Sequence, residues 1–179
     1  MNDPKDQHTF PELITKRLVL RKLTSDDAKQ ILFLRTDPII NKYIQRKSMN
    51  GIEDAKKFIS DCNSNFKKGK LFQWGIMLKE NDLLIGSICI WNISKDKQNG
   101  EIGYNLIPDQ YRKGYMTEAM EKVIDFGFQQ INLSIIEAYT EGENIGSKKL
   151  LVKNGFIHDP NRIDEDNLKN DIYLLSNQL

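Results

Sequence analysis

The 179-residue sequence predicts one domain of the α/β (α+β) class. Its length and its 39% share of apolar residues are those of a chain that buries one core. Apolar residues follow a helical spacing in the first third of the chain and a strand-like alternation in the middle. In the last third, helical and strand-like segments take turns. This order predicts a mixed sheet whose first strands are antiparallel and whose later strands are joined by helices.

One strand and three helices are predicted in the first 70 residues. Residues 16–23 alternate apolar and basic side chains, which is typical of a half-buried strand. Segment 24–27 (Thr-Ser-Asp-Asp) supplies an N-cap and an acidic first turn for a helix. Asp37-Pro38 predicts a second, short helix, because proline is favoured at the first helical position. A longer amphipathic helix is predicted over 52–66, and Gly69 ends it.

The rest of the chain is predicted to be richer in strands. Two apolar runs separated by a polar tetrapeptide predict a hairpin, and Pro108 ends the strand that follows it. Beyond that proline, helices and strands alternate. The predicted elements are strands over 72–78, 83–91 and 100–107, a helix over 116–127, a strand over 134–140, a helix over 144–154 and a closing strand over 171–175.

Composition narrows the classes of protein to consider. The 26 basic and 25 acidic residues leave a net charge of +1, which disfavours a nucleic-acid-binding protein. No apolar run is long enough for a membrane span, and the polar start lacks the apolar core of a secretory signal. Cys62 and Cys89 lie in apolar patterns and are expected to be reduced, buried thiols. His8 and His158 are too isolated for a metal site. We expect a cytoplasmic, metal-free protein with a polar leader over 1–14 and one domain over 15–179.

The most informative segment is a loop between a strand and a helix, around residues 111–116. A helix N-terminus leaves backbone N–H groups without partners and carries a partial positive charge. Gly114 allows a close approach of the backbone to a ligand, and Arg112 and Lys113 add full positive charges. Such a loop is suited to bind a pyrophosphate, although taken alone it is also a common solvated turn.

The motifs around this loop resemble the GNAT superfamily of N-acetyltransferases, and in particular its RimJ/RimL-type branch of ribosomal-protein N-terminal acetyltransferases. The resemblance covers most of the chain. The pyrophosphate motif of the family, Gln/Arg-x-x-Gly-x-Gly/Ala, falls on residues 111–116, with Tyr111 and Met116 as departures. The other matching segments are Thr15 to Arg21, Ile85 to Ile88, Glu101 to Tyr104, and Asn144, Ser147 and Gly155-Phe156.

The resemblance implies a GNAT fold and acetyl-CoA as cosubstrate. That fold has a central, mostly antiparallel mixed sheet, helices on both faces and a splayed strand pair that receives CoA. It also implies that the strand before the loop carries a bulge, and that backbone groups of this strand face the thioester. The implied cofactor-binding residues are Leu106, Ile107, Tyr111, Arg112, Lys113, Gly114, Tyr115, Met116, Asn144 and Ser147.

Catalytic roles are also implied by the resemblance. Many relatives protonate the departing thiolate with a tyrosine seven residues after the asparagine, a position occupied here by Leu151. Ser147 is therefore the expected acid, although a serine in a first helical turn is often only a capping or surface group. For the base, Glu101 and the acidic cluster Asp164-Glu165-Asp166 remain alternatives, and either could be a surface feature or attract a cationic amine.

The expected activity is acetyl transfer from acetyl-CoA to a primary amine, by direct attack in a ternary complex. A protein N-terminal α-amine is the first choice of acceptor, and a polyamine, an aminoglycoside or another small amine is the alternative. A non-catalytic, regulatory CoA-binding domain is a further alternative, favoured by Met116 and Leu151. The chain lacks the glycine motifs of nucleotide-binding enzymes. We expect a monomer or a homodimer.

Overall fold

The computed structural model of the chain describes residues 9–177. The predictions for Met1–His8, which include most of the expected leader and His8, lie outside the described residues.

The described residues form an eight-stranded mixed sheet and four α-helices. Along the sheet the strands follow the order β1-β2-β3-β4-β5-β6-β8-β7, and only β5 and β6 are parallel neighbours. The predicted class, a mostly antiparallel mixed sheet with helices, is confirmed. The elements are β1 (Leu13–Ile14), β2 (Leu18–Lys22), α1 (Ala28–Thr36), α2 (Ile52–Lys67), β3 (Phe72–Leu78), β4 (Leu84–Trp91), β5 (Asn99–Leu106), α3 (Tyr115–Phe126), β6 (Ile135–Glu141), α4 (Ile145–Lys153), β7 (Ile157–His158) and β8 (Asn170–Ser176).

The helices cover both faces of the sheet, and each face has its own apolar cluster. The inner stripe of α3, from Met116 to Ile124, packs with Leu151 of α4 against strand residues such as Ile88. The buried residues of α1 and α2 pack with Leu23 in the second cluster. The sheet is therefore a central layer between α3 and α4 on one side and α1 and α2 on the other.

The short helix predicted from Asp37-Pro38 is absent, and that prediction is wrong. Residues 38–43 form consecutive turns instead. Asp37 has an extended backbone, which the following proline requires, and its carboxylate accepts the N–H groups of Ile39 and Ile40, both at 2.9 Å. The Asp37 side chain therefore accepts hydrogen bonds from backbone N–H groups within a turn, and no helix forms after it.

The chain before residue 15 contributes to the domain. Leu13 and Ile14 pair with β2, and Phe10 packs edge-on to Trp74 with ring centroids 5.7 Å apart. The indole N–H of Trp74 donates to the carbonyl of Pro11 at 2.7 Å. Part of the segment expected to be a polar leader therefore lies against the core.

The two parallel strands separate after a short pairing. β5 and β6 are aligned only from Asn99 to Glu101, opposite Ile135 to Glu137. Beyond Glu101 the strands diverge, so the predicted splayed pair is confirmed. The bulge expected in β5 is elsewhere: β5 pairs with β4 in unbroken register, and the shift occurs between β3 and β4 at Ile76/Met77.

Candidate active site

A cavity of about 560 Å³ lies at the splay between β5 and β6. One wall is the C-terminal half of β5 with the loop and first turn of α3, and another is the first turns of α4. The turn segment 39–44 closes a third side. The lining residues include Lys42, Tyr104, Asn105, Leu106, Arg112, Gly114, Asn144 and Ser147.

The N-terminus of α3 opens into this cavity. Gly114 is the N-cap with φ +80°, a left-handed conformation that suits glycine, and Arg112 has φ +61°. The first intrahelical bond of the turn is donated by Glu118 to Gly114, so the N–H groups of the preceding helical residues have no partner within the helix. With the side chain of Arg112 beside them, these donors form an anion-binding end.

The segment between β1 and β2 holds this loop in place through Thr15 and Arg17. The Arg17 guanidinium donates to Glu118 Oε2 at 2.7 Å and to the carbonyl of Lys113 at 2.9 Å. It also lies over the ring of Tyr115, 4.4 Å from the centroid. The Arg17 backbone N–H and the Thr15 hydroxyl bind the same carboxylate. Burial opposes ionisation of Glu118, but these bonds outweigh it and lower the pKa of Glu118.

The two departures from the family motif leave the helix N-terminus open. The side chain of Met116 is buried in the core cluster, although the residue also lines the cavity. Tyr111 is 43% exposed at the cavity rim. Lys113, which was expected to contact the cofactor, does not line the cavity, and its ammonium donates to Gln110 instead.

The open edge of β5 offers backbone groups to the cavity. In the ladder with β4, successive residues direct their N–H and C=O groups to opposite sides of the strand. Ile107 donates its N–H to Ile85 of β4 at 2.8 Å, so Leu106 and Tyr104 face the splay. The expectation that the Ile107 N–H faces the thioester therefore needs correction, because this donor is used inside the sheet. The backbone groups of Leu106 face the splay, as expected.

Two hydroxyl groups meet at the centre of the cavity. Tyr104 Oη and Ser147 Oγ are 2.7 Å apart, and burial raises the pKa of Tyr104 to about 12. Ser147 is positioned by the start of α4, because its backbone N–H donates to Asn144 Oδ1 at 3.1 Å. Asn144 is therefore the N-cap of α4, and it also lines the cavity.

Glu101 lies outside the cavity, in a charged network on the α1–α2 face of the sheet. Its carboxylate accepts from Asn92 Nδ2 at 2.5 Å. Glu137, opposite it on β6, is held by Arg162 through bonds of 2.9 and 3.0 Å. Burial raises the pKa of Glu101, and the charges of Glu137 and Asp164 raise it further.

The acidic cluster Asp164-Glu165-Asp166 does not reach the cavity either. Asp164 Oδ1 accepts the N–H of Asp166 at 3.0 Å, and its Oδ2 accepts from Asn170 at 2.7 Å. Glu165 and Asp166 are exposed. No Asp or Glu among residues 9–177 lines the cavity.

Sequence reasoning missed three contributors to the site. Tyr104 belongs to the segment Glu101 to Tyr104 that resembles the family. The alternation of β5 could have placed its side chain on the opposite face of the strand from Glu101. Arg17 contacts Glu118 across 101 residues, and no local pattern indicates that pairing. The segment 39–44 follows Asp37-Pro38, where a short helix is predicted, and that prediction gives no indication of a cavity wall.

Two further findings concern residues 9–177 alone. They contain no group of three or more His, Cys, Asp or Glu side chains that could hold a metal ion. Their helices include none that is long and apolar enough to cross a membrane.

Sequence comparison identifies the domain and several relatives. The family model described as an acetyltransferase (GNAT) domain matches residues 17–157. The uncharacterized N-acetyltransferase YoaA of Bacillus subtilis (strain 168) is 33% identical over 147 residues, covering 82% of this chain and 83% of the relative. The uncharacterized N-acetyltransferase p20 of Bacillus licheniformis is 38% identical over 141 residues, covering 78% of each chain.

Solved structures share the fold at lower identity. The ribosomal-protein-S5-alanine acetyltransferase of Vibrio fischeri superposes with a TM-score of 0.81 and 22% identity, covering 94% of this chain and 97% of that one. RimJ of Mycobacterium smegmatis, in complex with CoA-disulfide, also has a TM-score of 0.81, with 17% identity over 94% of this chain and 88% of that one.

Proposed function

The chain belongs to the acetyltransferase (GNAT) domain family and is an acetyl-CoA-dependent N-acetyltransferase, and we propose that its acceptor is a protein N-terminal α-amine. One observation carries the choice of acceptor: no carboxylate among the described residues lines the cavity at Tyr104 and Ser147.

The cavity has the donors that acetyl-CoA requires. The N-terminus of α3, with Arg112 beside it, suits the pyrophosphate, and Gly114 lets the backbone approach closely. The edge of β5 at Leu106 and the amide of Asn144 lie on two sides of the splay, where the extended arm of the cofactor would pair with backbone groups. These features support binding of the cosubstrate at the splay.

Acetyl-CoA supplies an acyl thioester, and the departing thiolate needs a proton. We propose that Ser147 donates it and that Tyr104 replaces the proton through the 2.7 Å hydrogen bond. Because burial raises the pKa of Tyr104 to about 12, the hydroxyl pair is protonated at neutral pH and can donate to the thiolate, and the proton that the amine loses returns to Tyr104 through water. This pair takes the place of the family tyrosine that Leu151 replaces.

Removal of a proton from the amine is assigned to Glu101, acting through water. Glu101 is three residues from Tyr104 along β5, which corresponds to roughly 10 Å at ~3.3 Å per residue. A direct proton transfer over this distance is excluded by geometry. The raised pKa of Glu101 makes it a stronger base than an ordinary glutamate.

This arrangement favours an α-amine. At neutral pH roughly a tenth of α-amines are unprotonated, against about one lysine side chain in 10³, so an α-amine depends less on a nearby base. A polyamine or an aminoglycoside carries several positive charges, which a cavity lined by Lys42 and Arg112 without a carboxylate would not attract. The ribosomal-protein-S5-alanine acetyltransferase with the same fold is consistent with a protein acceptor.

The test is release of free CoA thiol from acetyl-CoA in the presence of a panel of amines. The panel holds N-terminal peptides of ribosomal proteins, the same peptides with a blocked α-amine, spermidine and an aminoglycoside. Turnover with the free peptides alone supports the proposal. Turnover with spermidine or the aminoglycoside alone identifies a small-amine acetyltransferase and contradicts the proposed acceptor.

A further inference from the structure

Two arginines outside the cavity carry charges that no carboxylate among residues 9–177 neutralises. Arg35 lies near the end of α1, and Arg46 follows the turn segment that walls the cavity. Neither takes part in any ion pair of the described residues. Arginine cannot lose its proton in a protein, so each keeps a full charge.

Both side chains are anchored in one place. The Arg46 guanidinium donates to Asn41 Oδ1 and to the carbonyl of Leu34, the residue before Arg35. The Arg35 guanidinium lies over the ring of Phe58, 4.1 Å from its centroid. Its Nε is buried and has no hydrogen-bond partner among the described residues. A buried donor without a partner is unfavourable, so an anion bound to this guanidinium would stabilise the arrangement.

The electrostatic effects of the two groups agree with this geometry. Burial is the main cause that lowers the pKa of Arg35. Burial, together with the neighbouring charge of Arg35, lowers the pKa of Arg46 to about 10. Two like charges are therefore held close to each other in a partly desolvated position.

The pair lies on the α1–α2 side of the sheet, next to the turn segment that walls the cavity. Both charges act on the thiol of Cys89, which pairs with Gly103 of β5. Asn105, two residues further on the same face of β5, lines the cavity. The pyrophosphate end of the cavity is at residues 112–116, beyond the C-terminus of β5. The arginines thus adjoin the cavity wall formed by segment 39–44, which is not the end assigned to CoA.

We propose that Arg35 and Arg46 bind an anionic group of the acceptor, a carboxylate or a phosphate close to the reacting amine. The inference rests on the proposed function, because it specifies which α-amines the enzyme prefers. Each guanidinium is a planar fork whose remaining N–H groups match either anion. In a protein N-terminus, the anion is an acidic side chain a few residues from the α-amine.

The experiment compares acceptors that differ only in this charge. Peptides with a free α-amine and an amidated C-terminus carry either glutamate or glutamine at the second, third, fourth or fifth position. The wild-type enzyme should favour the glutamate peptide in at least one pair by about 10-fold or more in kcat/KM, as a charged hydrogen bond would give. Arg35→Gln and Arg46→Gln should each reduce the ratio to near one and leave the glutamine peptide within about threefold of wild type.

Lys29→Gln is the matched control, because Lys29 is an exposed cation of the same helix as Arg35. It should keep the preference of the wild type. If Arg46→Gln fails to fold for want of its bonds to Asn41 and Leu34, Arg35→Gln still provides the test. Equal kcat/KM for both members of every pair, or a preference that survives both substitutions, would overturn the inference.

Failure of the proposed function gives a different result. If no peptide is acetylated, the same comparison is made with free amino acids and their α-amides. A preference for the free acids that Arg35→Gln abolishes would retain the anion site and reject the peptide acceptor. Equal rates, or no turnover, with both kinds of small amine would overturn the anion site as well.

Discussion

Gly114→Ala tests whether the first turn of α3 holds the pyrophosphate of acetyl-CoA. Gly114 has φ +80°, and a β-carbon there would lie 3.4 Å from Arg17 Nη2, so space is sufficient but the backbone conformation is not suited to alanine. A left-handed conformation costs an L-residue about 1–2 kcal/mol. The substitution should lower the free energy of unfolding by about this amount.

The same strain should weaken acetyl-CoA binding. If the loop relaxes towards negative φ, the N–H groups of the first turn move away from the ligand, and part of the strain appears as lost affinity. A loss of 1–2 kcal/mol corresponds to a roughly 5- to 30-fold increase in Kd. Calorimetric titration of acetyl-CoA measures this change, and urea unfolding measures the stability.

Gly69→Ala is the matched control. Gly69 has φ +66° just beyond the end of α2, and a β-carbon there would contact nothing within 4 Å. It should lose similar stability with no change in acetyl-CoA affinity. If Gly114→Ala also leaves the Kd unchanged while losing stability, the pyrophosphate is bound elsewhere. If neither substitution lowers the free energy of unfolding, the left-handed conformation does not strain an alanine at these two positions.

Three further predictions concern catalysis and stability. Ser147→Ala should lower kcat by about 10²-fold or more, measured by steady-state kinetics, and leave the Kd of acetyl-CoA unchanged, measured by calorimetry. Tyr104→Phe should also lower kcat. Glu101→Gln should remove the acidic limb of the pH profile of kcat/KM. Because burial raises the pKa of Glu101, that limb should lie above the usual range of a glutamate. Glu118→Gln should lower the free energy of unfolding by about 1–3 kcal/mol at neutral pH. Folding lowers the pKa of Glu118, so the wild type should be more stable than Glu118→Gln at every pH above the pKa of an unfolded glutamate, roughly 4.3. Urea unfolding should show this stability difference disappear as the pH falls through the lower pKa of Glu118 in the folded protein.

Local features of the site could be predicted from the sequence. The Gly114 turn and the Asn144 cap depend on residues within one helical turn, and both are set by backbone donors at a helix N-terminus. The alternation of β3, β4 and β5 depends on the period of their side chains, and those strands agree with the prediction to within one residue. The strands β1 and β7 are two residues long, too short for a period to be visible.

Features that join distant segments could not be predicted in this way. Tyr104 and Ser147 are 43 residues apart, and their contact follows from the direction in which α4 crosses the sheet. Glu101 was one of two candidates for the base, but it lies three positions from Tyr104 on β5, and this odd separation places its side chain on the other face of the sheet. The pairing of Arg17 with Glu118 has the same long-range origin.

The most direct test of the central claim is the position of the acetyl group on a peptide that offers both kinds of amine. A peptide with a free α-amine and an internal lysine is incubated with the enzyme and acetyl-CoA at neutral pH, and tandem mass spectrometry locates the product. We expect acetylation of the α-amine, with the lysine unmodified and with loss of product in Ser147→Ala. Acetylation of the lysine alone, or a product yield that Ser147→Ala leaves unchanged, would contradict the account.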